Sequence, residues 1–145
     1  MRPYPPVLYL SGLGLALVGH LIHPLSLPDA VGVRVLGAVP VAVAVLLGVA
    51  AERELVRAKT PVLPFRDASA LVTTGPFRLT RNPIYLAFTL LVLGVALGTA
   101  SWWPVITLPL VLVAMTWVIR GEERSLERLF GEEYRRYRHR VRRWL

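Results

Sequence analysis

The sequence predicts an all-α, polytopic membrane fold: four transmembrane helices followed by a C-terminal amphipathic cytoplasmic helix. Three observations carry that prediction. Apolar residues make up 54% of the 145 residues, with a mean hydropathy of +0.53. They are gathered into four blocks, 7–22, 31–51, 83–98 and 102–119, rather than alternating as in a soluble chain. The basic residues are gathered too, nine arginines lying between Arg120 and Arg143 and six basic residues between Arg53 and Arg81. The length suits one domain, residues 1–145.

The first block, 7–22, is a somewhat short span with Tyr4 and Tyr9 at the level of an aromatic belt. Arg2 precedes it, but no small-x-small cleavage site follows, so it reads as a span rather than a removable signal. Gly12, Ala16 and Gly19 form a small-residue stripe for close helix packing. His20 and His23 end the span as interfacial histidines without a third ligand nearby. His23-Pro24 and Leu27-Pro28-Asp29 make an external turn. The second span, 31–51, contains Pro40, which should kink it, and continues as a polar helical extension from Glu52 to Lys59.

The 60–82 segment is too long for a plain connector, and loops of that length are functional or disordered. Val62-Leu63-Pro64-Phe65 and Ala70-Leu71-Val72 are too apolar for a linker, which predicts an ordered, packed loop. Asn82 as cap and Pro83 at the first helical position start the third span. The third and fourth spans are joined only by Thr99-Ala100-Ser101, so they form an antiparallel hairpin with Trp102 and Trp103 at the far interface. Gly94 and Gly98 are a small-residue pair for packing within the fold. In the last segment, 120–145, Leu126, Phe130, Tyr134, Tyr137, Val141 and Trp144 recur at helical steps among arginines, with a break expected near Gly131.

The two basic segments lie on one side, since the loops after the first and third spans carry no Lys or Arg. The positive-inside rule makes that side cytoplasmic, placing both termini inside an inner or plasma membrane. On a hydrophobic body, the arginines read as contacts to anionic lipid head groups rather than to nucleic acid. The absence of cysteine removes disulfides, thiolate metal sites and Cys nucleophiles. Glycine-rich nucleotide loops, zinc-protease motifs and nucleophile elbows are lacking as well. Oligomeric state is not encoded in any readable pattern.

Because the third and fourth spans are antiparallel, Arg81, Asn82 and Tyr85 at the start of one should meet Arg120, Glu122 and Glu123 at the end of the other. Carboxylates there suit a cationic ligand.

Two stretches carry a family resemblance. Leu71-Val72-Thr73-Thr74-Gly75-Pro76-Phe77 with Arg81-Asn82-Pro83-x-Tyr85 is the first. Glu122-Glu123, then Leu126, Phe130-Gly131-Glu132-Glu133-Tyr134, Tyr137, Val141 and Arg143-Trp144 is the second. Together they resemble the isoprenylcysteine carboxyl methyltransferase and phospholipid N-methyltransferase family of integral membrane enzymes. The resemblance implies an S-adenosylmethionine-dependent transfer of methyl to a lipophilic acceptor: an isoprenylcysteine-like carboxylate, a phospholipid amine or another small lipophile. It implies cofactor contacts from Ser69, Ala70, Leu71, Val72, Phe77, Asn82, Pro83, Ile84, Tyr85 and Glu122. Glu123, Tyr85, Tyr134 and Arg120 are the candidates for chemistry on the acceptor side. Asn82 stands where the carboxyl methyltransferase branch has His, Phe77 where it has Tyr, and Val118 where it has a substrate-side arginine. Two other readings compete: an NADPH-dependent membrane reductase of similar architecture, and a non-enzymatic protein that binds anionic lipid.

Overall fold

The computed structural model describes residues 4–27, 31–61 and 68–145. The expectations for Arg2, for Pro28-Asp29 and for Val62-Leu63-Pro64-Phe65 lie outside the described residues. Within them the chain is all helix apart from turns: α1 (Pro5–Ile22), α2 (Val31–Leu36), α3 (Ala38–Arg57), α4 (Pro83–Gly98) and α5 (Trp103–Arg140), with a 3-10 turn at Gly75–Arg78. Three helical stretches are long and apolar enough to cross a membrane: Pro5–Ile22, Val31–Arg57 and Trp103–Arg140. Four spans were expected, the third of them over 83–98. Pro83–Gly98 is apolar but has only 16 residues, about 24 Å of helix against a hydrocarbon core of about 30 Å.

Proline and glycine set the breaks. Pro40 offers no N–H to the Leu36 carbonyl and its ring crowds it. The second apolar helix is accordingly divided at Gly37, between α2 and α3, where the sequence predicted a kink. The polar extension beyond Ala51 is helical as far as Arg57.

The C-terminal segment differs from the expectation in its start. No separate helix begins at Gly121; α5 runs on past the apolar stretch for another turn and more, because Gly121 to Phe130 carries no breaker strong enough to stop it. The reversal comes at Gly131, whose φ of 49° and ψ of −119° suit glycine alone. Beyond it the second limb of α5 folds back on the first. Glu127 reaches Arg135 at 2.8 Å and Glu123 reaches Arg143 at 2.7 Å, pairs that a straight helix would hold about 12 Å and about 30 Å apart.

α1 packs antiparallel against α5, and α3 against α4. The expected small-residue stripes make both contacts. A Cβ on Gly12 would lie 2.4 Å from Val111, and one on Gly19 2.6 Å from the Trp103 ring. A Cβ on Gly94 would lie 2.4 Å from Val41, and one on Gly37 2.8 Å from the Gly98 amide nitrogen. The core runs along Tyr9, Val92, Leu108, Val111, Met115, Val118 and Ile119. Outside it the helices show a belt of exposed Leu, Val and Ile, such as Leu21, Leu46 and Leu110, which suits lipid rather than water.

Candidate active site

The start of α4 is tied to the end of the chain. The Arg81 amide donates to the Arg142 carbonyl at 2.9 Å. Thr80, fully buried, donates its hydroxyl to the Arg143 carbonyl at 3.0 Å, and the Asn82 side-chain amide donates to the same oxygen at 2.9 Å. Pro83 takes the first helical position, as expected, but Asn82 does not cap with its side chain. Its amide instead joins Thr80 in satisfying a carbonyl of the returning tail.

Beneath that seam lies a charge cluster. Glu123 accepts from Arg143 twice, Nε to Oε1 at 3.0 Å and Nη2 to Oε2 at 2.7 Å. Arg81 Nη1 approaches the same Oε1 at 3.1 Å and donates to the Tyr134 hydroxyl at 3.3 Å. Arg81 and Glu123 side chains are only 10% and 11% exposed, so neither charge can rely on water. Donating these hydrogen bonds to the Glu123 carboxylate holds Arg143 above the ordinary guanidinium pKa. Tyr137 donates to the Phe77 carbonyl at 2.7 Å, and so fastens the returning limb to the 3-10 turn as well.

Between this roof and the ends of α4 and α5 is a cavity of about 730 Å³. Its polar corner is Glu122, which accepts from the Tyr85 hydroxyl at 2.6 Å. Tyr9 steadies that corner by donating to the Tyr85 carbonyl at 3.1 Å. Apolar side chains, among them Leu71, Val72, Phe77, Phe88 and Leu126, make most of the remaining wall. The 3-10 turn that presents Phe77 is held to α3 through Glu54, which accepts from Thr74 and pairs with Arg57. At Gly75, φ is +55° and the Glu54 side chain packs where a Cβ would stand.

A scan against protein-family models matches residues 33–133 to the phospholipid methyltransferase family. The match includes α3, the loop, α4 and α5 as far as the tail's second limb. The chain belongs to the phospholipid methyltransferase family. This family of membrane methyltransferases includes the isoprenylcysteine carboxyl methyltransferase-like enzymes. An uncharacterised protein of Haemophilus influenzae is 42% identical over 65 residues, which cover 43% of this chain and all of that protein. No solved structure matches.

On this member of the phospholipid methyltransferase family, the cavity gathers most of the residues singled out from the sequence. Ala70, Leu71, Val72, Phe77, Asn82, Pro83, Ile84, Tyr85, Glu122, Glu123 and Tyr134 all line it. Two do not. Ser69 turns away, donating its hydroxyl to the Lys59 carbonyl at 2.7 Å and its amide to Thr60 at 3.0 Å, so it shapes the loop. Arg120 is exposed on the outer side of α5, about a quarter-turn per residue having carried it off the face that bears Glu122. Arg81 meets Glu123 as the hairpin predicts, but sequence reasoning missed Arg143 as the second partner of Glu123, and Tyr4, Pro5 and Pro6 as lining residues. Arg143 was readable as part of the tail motif. The N-terminal residues were not, since only the packing of α1 brings them there.

Proposed function

We propose that this chain transfers a methyl group from S-adenosylmethionine to a lipophilic acceptor at the cytoplasmic face of the membrane. The observation that carries the proposal is the Glu122–Tyr85 corner of an otherwise apolar cavity, in a chain of a methyltransferase family. About 730 Å³ lies within the range of about 300–1,000 Å³ usual for a small-molecule site. The donor set fits as well: a carboxylate for a cation, and Phe77 with Val72 as apolar faces for a planar base.

Bound there, S-adenosylmethionine supplies a methyl group already activated on a positively charged sulfonium. The protein therefore has positioning and desolvation to contribute. The Tyr85 hydroxyl fixes the Glu122 carboxylate so that its charge faces the cavity. The apolar wall excludes water, which strengthens that charge. Glu123 has both oxygens engaged by guanidinium groups and acts as a positioning residue for the roof. The Tyr85 hydroxyl donates to Glu122, so an amine acceptor would give up its proton to the Glu122 carboxylate, either directly or through that hydroxyl, whose own proton would then move to Glu122; a carboxylate acceptor would need no base. The positive-inside distribution of arginine supports a cytoplasmic cavity mouth.

Isothermal titration of the purified protein with S-adenosylhomocysteine, alongside NADPH, tests the proposal. Binding of the first and not the second is expected, with Glu122→Gln weakening it about tenfold or more. Absence of heat from S-adenosylhomocysteine with a helical, monodisperse sample would overturn it.

A further inference from the structure

One face of α5 continues from lipid-like to phosphate-binding chemistry without interruption. Ile106, Leu110, Val113, Trp117, Arg120 and Arg124 follow at steps of three or four and share a stripe. All six are exposed, Leu110 at 65%, Val113 at 63% and Trp117 at 72%. From Ile106 to Trp117 the helix rises about 16 Å, about half of a hydrocarbon core of about 30 Å. The stripe ends with an indole suited to head-group level and guanidinium groups just past it.

The reversal at Gly131 adds a third cation. It brings Arg138 from the returning limb to a depression of about 280 Å³ shared with Trp117, Arg120 and Arg124. The depression also contains Glu123 and Glu127, but both are already neutralised. Glu123 is held by Arg81 and Arg143, and Glu127 by Arg135 at 2.8 Å, with Arg138 at a looser 3.5 Å. Arg120 and Arg124 make no ion pair or side-chain hydrogen bond among the described residues. Two unspent guanidinium groups and a third held loosely form a site for a phosphate, which such groups bind through paired N–H donors.

We propose that the outer face of α5 is a phospholipid site separate from the cavity, with the phosphate of an anionic lipid held by Arg120, Arg124 and Arg138 and an acyl chain lying along Trp117, Val113 and Leu110. The apolar stripe leading to the arginines selects a lipid over free phosphate, which would have no use for it. Because Arg138 belongs to the returning limb and Arg120 and Arg124 to the first, a bound phosphate bridges the two. It thereby holds Tyr134 and Tyr137 in place as the cavity roof.

Native mass spectrometry of the full chain, released from detergent after titration with an equal mixture of phosphatidylglycerol and phosphatidylcholine, tests this. The expected result is one retained phosphatidylglycerol, preferred about tenfold or more. R120Q/R124Q/R138Q should bring the preference near parity, while R120K/R124K/R138K should keep most of it. The control R136Q/R140Q/R142Q removes the same charge elsewhere on the tail and should leave the preference within about twofold. If the triple glutamine variant fails to purify as a helical protein, R124Q alone should lower the preference about threefold. Equal retention of the two lipids by the unmodified protein overturns the proposal, as does an equal fall in variant and control or an unchanged preference in R124Q. Displacement of the lipid by glycerol 3-phosphate at equal concentration would assign the depression to free phosphate instead, and overturns the lipid assignment.

Discussion

The two ends of this helical bundle are built differently. At the end carrying Ser26 and Ser101, short turns close it with backbone pairing. Leu27 donates to the Ala100 carbonyl at 2.7 Å and Trp102 to the Leu25 carbonyl at 2.9 Å, while the Trp103 indole donates to the His23 carbonyl at 2.8 Å. His20 and the Ser101 hydroxyl share a hydrogen bond of 3.1 Å, which gives that histidine a structural role. At the opposite end, α4 and α5 are capped by side chains and a returning tail, and they leave a cavity. Short turns satisfy their own polar groups locally. A cavity has to be roofed by elements far apart in sequence, so it rests on charges and hydroxyls placed by the tertiary fold.

The contrast can be broken from either end. The largest effect is expected from Glu123→Ala, which leaves Arg81 buried with its main counter-charge gone. A loss of about 3 kcal/mol or more in detergent unfolding, with early proteolysis after Gly131, should follow. Gly94→Ala strikes the helix packing instead. Its new Cβ would press on Val41 and the Gly37 carbonyl, and about 2 kcal/mol of stability should be lost while S-adenosylhomocysteine affinity stays within about twofold. Tyr85→Phe sharpens the open end, because it removes one hydroxyl from Glu122 and little else. Calorimetric affinity for S-adenosylhomocysteine should fall about tenfold, with a much smaller change in unfolding. The smallest effect belongs to Ser101→Ala at the closed end, about 1 kcal/mol or less in thermal unfolding and no change in ligand binding. A cavity-binding loss in Ser101→Ala, or none in Tyr85→Phe, would mean that the two ends are not separable in this way.

Much of this was readable in the chain. Apolar blocks report helices directly, since a lipid-facing helix must be apolar over its own local stretch. Pro40 and Gly131 report breaks because a missing N–H or a missing Cβ acts on the backbone where it stands. The meeting of Tyr85 with Glu122 and of Arg81 with Glu123 followed from a three-residue connection that forces an antiparallel hairpin. Where inference failed, a side chain had two local options and distant neighbours chose between them. Asn82 had the chemistry of a helix cap but was claimed by the Arg143 carbonyl, and Ser69 was claimed by Lys59 and Thr60. Arg120 followed the helix to the outer face although it sits only two residues from Glu122.

The sequence by itself determined the helical class, the membrane-like composition, the breaks and the family, because each depends on local pattern or on motif spacing. Glu122 and Glu123 both line the cavity, and only the tertiary structure decided which carboxylate meets Tyr85 and which is spent on the roof. The two are adjacent and chemically alike, so no local rule separates them. About 100° of helical rotation turns one toward Tyr85 and the other toward Arg81 and Arg143, and the tail that supplies Arg143 arrives there only because the chain reverses at Gly131.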